Sequence, residues 1–158
     1  MTGRIKRTAY GSLLLLQATL LVALAACSAP PAEDGIQDAL REMAEAIEAR
    51  QAGPVVRRLA AEFSLARHGE ALDREQSRRL LAATLLRYPE ISVTLTNVTV
   101  LPDGARTDLA EARFNVLTTG GSGALLPDTG QLYRVESLWR LEDGDWLMVS
   151  ASARRLME

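Results

Sequence analysis

The sequence predicts an α+β domain in which three N-terminal helices pack on a curved four-stranded antiparallel sheet. Three observations carry this. Apolar residues recur at helical spacing between residues 34 and 87, then change to strand alternation after Glu90. Helical and strand segments are segregated along the chain, an order that gives an antiparallel sheet with helices on one side. Turn-forming clusters, Pro102-Asp103-Gly104 and Glu142-Asp143-Gly144-Asp145, divide the second half into meander strands.

The first helix starts at Asp34, a suitable N-cap, with Ile36, Leu40, Met43 and Ile47 on its apolar side and Glu42, Glu45 and Glu48 on a wet face. Gly53-Pro54 interrupts it and opens a second helix whose apolar residues are Val55, Val56, Leu59, Ala60 and Phe63. Residues 66–70 read as a loop. Asp73 followed by Gln76 forms a capping-box pattern for a third helix reaching Arg87, with Leu80, Leu81, Leu85 and Leu86 as its buried side. Tyr88-Pro89 ends it. Ile91–Leu101 is the first strand, and its alternation slips near Thr96-Asn97 in the manner of a β-bulge. Ala110, Ala112, Phe114 and Val116 alternate in the second strand. A loop with Gly120, Gly121, Gly123, Pro127 and Gly130 follows. Tyr133, Val135, Ser137, Trp139 and Leu141 alternate in the third strand, and Trp146–Ala153 forms the last.

Ahead of this domain the chain has the layout of an export signal. Arg4, Lys6 and Arg7 precede an apolar stretch from Leu13 to Ala23 that ends in Leu24-Ala25-Ala26-Cys27. That stretch is short of the ~20 residues that span a bilayer core, so a cleaved signal is favoured over a permanent helix. Leu-Ala-Ala-Cys resembles the bacterial lipobox, which implies cleavage after Ala26 and acyl chains on Cys27. Several acyl chains anchor stably where one does not. Residues 27–33 then form a short tether whose Pro30-Pro31 holds the domain, residues 34–158, off the membrane. Ser28 after the cysteine favours the outer over the inner membrane, with the domain facing the periplasm.

Composition excludes several function classes. A chain 47% hydrophobic and 24% charged is globular rather than disordered. Removing the signal takes three cations and no acid from a chain of net charge −2, leaving a still more acidic domain and no expectation of nucleic-acid binding. A single cysteine allows no internal disulfide. With His68 as the one histidine, zinc patterns built on several histidines or paired CxxC motifs are excluded, so no metal site is expected. Gly121-Ser122-Gly123 lacks the spacing of a nucleophile elbow, and the Gly-rich loop has no Lys-Ser/Thr pair, so no nucleotide or other cofactor is expected.

Three segments resemble the nuclear transport factor 2-like superfamily, which includes the SnoaL-like proteins and ketosteroid isomerases. They are Ala49–Gly53 with Val55–Ala60 and Phe63, the later helix leading into a long meander, and Tyr133–Glu136 running through Trp139-Arg140-Leu141 to Asp143–Trp146. The resemblance covers about residues 34–154. It implies a cone-shaped pocket inside the curved sheet, and in many members a homodimer through the sheet's outer face.

Tyr88 and Tyr133 are the tyrosines after the signal, and neither stands in the first helix, where the resemblance implies the isomerase tyrosine; Met43 and Ile47 occupy that helix. The nearest stand-ins for the expected acid are Glu62 and Ser64. The expectation is therefore no catalytic residues, and a non-catalytic envelope lipoprotein whose domain binds a small apolar ligand or a protein partner. Phe63, Tyr133, Trp139 and Trp146 are its candidate pocket lining, against a core role at strand spacing. The alternatives are a small isomerase- or dehydratase-type enzyme using Glu62 as base, and a structural subunit of an envelope or secretion assembly. His68, between Arg67 and Gly69-Glu70, reads as a solvated loop residue rather than a base. Glu111, Arg113, Arg134, Glu136 and Arg140 read as ion pairs on the sheet's outer face.

Overall fold

The computed structural model describes residues 30–67, 69–121 and 129–156. The export signal, its cleavage point at Ala26, the lipidation cysteine Cys27, His68 and most of the Gly-rich loop lie outside the described residues. No described helix is long and apolar enough to cross a membrane.

Helix α1 spans Ala32–Glu48 and α2 spans Ala52–Arg57. Strands β1 (Leu59–Arg67) and β2 (Glu70–Asp73) precede helix α3 (Arg74–Arg87). Four long strands follow: β3 (Glu90–Pro102), β4 (Leu109–Gly121), β5 (Thr129–Glu142) and β6 (Asp145–Arg155). All six strands form one sheet in the order β2-β1-β6-β5-β4-β3. The sheet is mixed, because β1 runs parallel to β6 while every other pair is antiparallel.

This corrects the four-stranded, purely antiparallel expectation. Val55, Val56, Leu59, Ala60 and Phe63 fit a helical stripe, yet the helix stops at Arg57. The amide of Met148, on β6, donates to the carbonyl of Arg58 at 2.8 Å, drawing the chain onto the sheet as soon as the helix ends. A partner ninety residues away in sequence thus overrides local periodicity. The loop expected at residues 66–70 is largely strand, with Arg67 paired to Glu70. Helix α1 also begins earlier than Asp34. Pro31 takes the N-cap position without a side-chain cap, and Glu33 and Asp34 sit in the first turn, where acids favour the helix dipole.

The helix cap, the bulge and the hairpin turn are as expected, whereas Leu86, expected on the buried side of α3, is 79% exposed and only Leu85 of that helix is buried. Asp73 accepts from the amide of Gln76 at 2.8 Å while the Gln76 side chain accepts from the amide of Asp73, completing the capping box. Asn97 adopts φ 54° where the β3–β4 register slips, so a bulge is present. It allows Leu95 and Val98, three residues apart, both to pack against the core. A second bulge between β5 and β6 does the same for Met148 and Ala151. The β5–β6 hairpin turns through Asp143 and Gly144, both at positive φ, the backbone of a type I′ turn.

One face of the sheet is covered by helices: α1 lies along β3 and touches β4 and β6, and α3 packs on β1 and β2. Between them sits the core of Ile36, Leu40, Phe63, Phe114, Trp139 and Trp146. Two acids first read as a wet face instead pin α1. Glu42 accepts from Arg58 Nε at 2.8 Å, and Glu48 accepts from the Val93 amide at 2.8 Å and the Ser92 hydroxyl at 2.9 Å. Arg74 fixes α3 by donating to the carbonyls of Val56 and Leu59.

Candidate functional site

Register places one row of each strand on the helix-covered face. On β4 the row is Ala110, Ala112, Phe114, Val116, Thr118, and opposite it on β5 stand Trp139, Ser137, Val135, Tyr133, Gln131. The row changes character along its length. At one end Ala110, Trp139 and, on β6, Trp146 are 1%, 0% and 2% exposed. At the other, Val116, Thr118, Gln131 and Tyr133 are half-buried. The inward face is therefore filled at the tryptophan end and only partly covered at the tyrosine end.

The polar groups on this face are few and specific. Ser137 is buried, donates to the Ala112 carbonyl at 3.1 Å and accepts from Trp139 Nε1 at 2.9 Å. Both are thereby satisfied, and Ser137 belongs to the core. At the tyrosine end the Tyr133 hydroxyl donates to the Gln131 side-chain oxygen, and Thr118 donates to the Gln131 carbonyl at 3.4 Å. A tyrosine hydroxyl can also accept, so Tyr133 presents an adaptable polar tip among Val116 and Val135. Apolar neighbours with a few placed polar groups are the surroundings that small-molecule sites use. Of the four candidate lining residues, Tyr133 stands at this half-covered end, whereas Phe63, Trp139 and Trp146 are in the closed core. Gln131 and Thr118 are additions. Extending the β5 alternation two residues back from Tyr133 would have found Gln131.

Glu62 is not in this site. Its side chain is 51% exposed and pairs with Arg140 Nη2 at 2.6 Å. A backbone hydrogen bond and then Arg140 hold its carboxyl below the usual range, the opposite of what a base in an apolar pocket needs. Arg140 also pairs with Glu142. Elsewhere on the open face, Glu111 and Arg113 approach to 3.6 Å and Glu136 and Arg154 to 3.9 Å, the exposed pairing expected there. That face carries a shallow groove of about 440 Å³ whose floor includes Ser64, Ala66, Ser150 and Ser152. It is on the wrong side of the sheet to meet Tyr133. Among the described residues, no group of three or more His, Cys, Asp or Glu side chains could hold a metal ion.

The architecture is that of the nuclear transport factor 2-like (NTF2-like) α+β fold. Solved structures with the same fold include a protein of the NTF2-like family from Streptomyces avermitilis, provisionally named a dehydratase. It is 21% identical with a TM-score of 0.67, covering 80% of this chain and 96% of that one. A protein from Novosphingobium aromaticivorans, provisionally named a scytalone dehydratase, is 14% identical with a TM-score of 0.70, covering 89% of each chain. A hexachlorocyclohexane dehydrochlorinase, LinA type 2, is 18% identical with a TM-score of 0.64, covering 78% of this chain and 84% of that one. No family model and no curated protein matches the chain. At these identities the likeness establishes the fold. It also corrects the expectation of a non-catalytic domain: the function names that these neighbours carry, dehydratase and dehydrochlorinase, are those of elimination enzymes.

Proposed function

We propose that this chain is a small pocket enzyme of the isomerase/dehydratase type, acting on a compact, largely apolar molecule without a metal or organic cofactor. The observation that carries the reading is the Tyr133–Gln131 pair on the half-covered inward face, set among Val116 and Val135. The fold shared with named dehydratases and dehydrochlorinases supports it.

In such a reaction a base takes a proton from a carbon of the substrate, and that electron pair becomes a carbon–carbon double bond. The leaving group on the neighbouring carbon departs with its own bonding pair. Tyr133 turns its one hydroxyl proton from Gln131 to the oxygen or halogen on which charge develops, the role a positioned donor plays in a water-poor site. Without a leaving group, return of the proton to another carbon gives isomerisation. Glu62 is excluded as the base, and the described inward row holds no carboxylate. The residue to which the reading assigns a role is Tyr133, as donor.

The test is carbon-acid exchange in deuterated water. Cyclic ketones, β-hydroxy ketones and chlorinated cyclohexanes are offered to the purified protein and followed by NMR. Turnover of one class that falls about 100-fold or more in Tyr133→Phe supports the assignment. Equal rates in wild type and Tyr133→Phe would sink it.

The same proposal places the enzyme in the envelope, with residues 1–26 removed and Cys27 lipid-bearing, at the outer membrane and facing the periplasm. The signal layout and the Leu-Ala-Ala-Cys motif support this. Labelled palmitate entering the wild type and absent from Cys27→Ser tests it.

A further inference from the structure

We propose that the tryptophan end of the domain abuts the bilayer and that the Tyr133 end opens away from it, roughly 30 Å further out. This rests on the lipid-anchor reading of Cys27 and adds to it an orientation.

The sequence suggested a tether holding the domain off the membrane. The structure leaves almost no tether. Pro30 is already docked: its carbonyl accepts from Trp146 Nε1 at 3.3 Å. Pro31 caps α1, its carbonyl accepting from the Gly35 amide at 2.9 Å. Gly35 lies so close to Trp146 that a β-carbon there would come within 2.5 Å of the indole Cδ1 and 3.2 Å of the Pro30 ring. The N-terminal strap is thus clamped against a core tryptophan. Only Ser28 and Ala29 separate Pro30 from Cys27. Three residue steps reach at most ~11 Å, so the Cys27 backbone, to which the acyl glycerol is attached through the side chain, is held within that radius of Pro30.

The strands then fix where the two ends lie. Trp146 pairs with Leu141 next to the β5–β6 turn, and Ala110, beside the β3–β4 connection, pairs with Trp139, so both connections lie at the tethered end. Ten residues of β5 separate Leu141 from Gln131, a span of about 33 Å at ~3.3 Å per residue. Helix α1 runs the same way, from the docked Pro31 to Glu48 against Ser92 and Val93 at the far end. With the leash attached at one end of this long axis, that end stays nearest the bilayer and the domain stands upright. The upright pose leaves the Tyr133 end facing the aqueous side, so substrate arrives from the periplasm rather than from the membrane.

The two ends of β3 make the test. In the mature lipoprotein the Cys27 sulfur is blocked by its lipid, so an introduced cysteine is the one reactive thiol. Ala105→Cys, in the exposed turn after β3, marks the tethered end, and Glu90→Cys, the exposed first residue of β3, marks the far end. Each full-length variant is labelled with a fluorophore and reconstituted into phosphatidylethanolamine–phosphatidylcholine vesicles carrying a headgroup quencher. The orientation predicts quenching several-fold stronger at position 105 than at 90. Equal quenching, or the reverse, with the diacylglyceryl mass present on Cys27, overturns the orientation and leaves the anchor standing. Absence of that mass overturns both.

Discussion

Trp146 and Pro30 are 116 residues apart in sequence, and the indole N–H of one donates to the backbone carbonyl of the other at 3.3 Å. The contact ties the start of the domain to its last strand, and Gly35 is the residue that lets them meet. Gly35→Ala would force its β-carbon into the Trp146 ring. Overpacking of this kind costs about 1–3 kcal/mol. Urea unfolding of residues 28–158 should report that loss in Gly35→Ala, with little change in the exposed control Gly53→Ala, whose β-carbon meets no atom closer than 3.7 Å.

Ser137 is the hinge of the buried polar chain from Trp139 to Ala112. Ser137→Ala removes the acceptor of a fully buried indole N–H and leaves it unsatisfied. The expected cost is about 1–3 kcal/mol, measured as a fall in the urea midpoint without a change in slope.

The bulge at Asn97 gives a backbone test. At φ 54° an asparagine is tolerated and a β-branched residue is not. Asn97→Val should destabilise by about 1–2 kcal/mol while Asn97→Gly stays near wild type. A neutral valine would show that the bulge relaxes.

Acid sensitivity follows from Glu75. Hydrogen bonds from Arg78 and then Arg79 pull its pKa down to about 2 from an ordinary 4.5. A depressed folded-state pKa gives stability that is present above the unfolded value, near 4.5, and lost as pH falls through about 2. Wild type should exceed Glu75→Gln in stability at pH 7, and the gap should close towards pH 2. The group is exposed, so raised salt should shrink the gap at every pH.

Much of the second half of the fold was legible because its signals are local. Asp73 and Gln76 cap α3 through neighbouring backbone, and the slip at Thr96-Asn97 is written in the spacing of Leu95 and Val98. Strands β1 and β2 were not legible. Val55 to Phe63 satisfies a helical stripe, and what makes Leu59–Arg67 a strand is β6, supplied from the far end of the chain. The site divides the same way. Tyr133 could be named from aromatic type and strand spacing, but period-two reasoning does not say that Trp139 and Trp146 fall at the filled end and Tyr133 at the half-covered one. Glu62 looked like a pocket acid while its segment was read as helix. In β1 it faces Arg140 on the open side.

The central claim is proton transfer at carbon on the half-covered face beside Tyr133. Its most direct measurement is deuterium incorporation and elimination, followed by NMR, in wild type and Tyr133→Phe at equal stability. The account predicts turnover by the wild type that falls about 100-fold or more on loss of the hydroxyl. No exchange with any of the three substrate classes, or a Tyr133→Phe variant as active as the wild type, would contradict it.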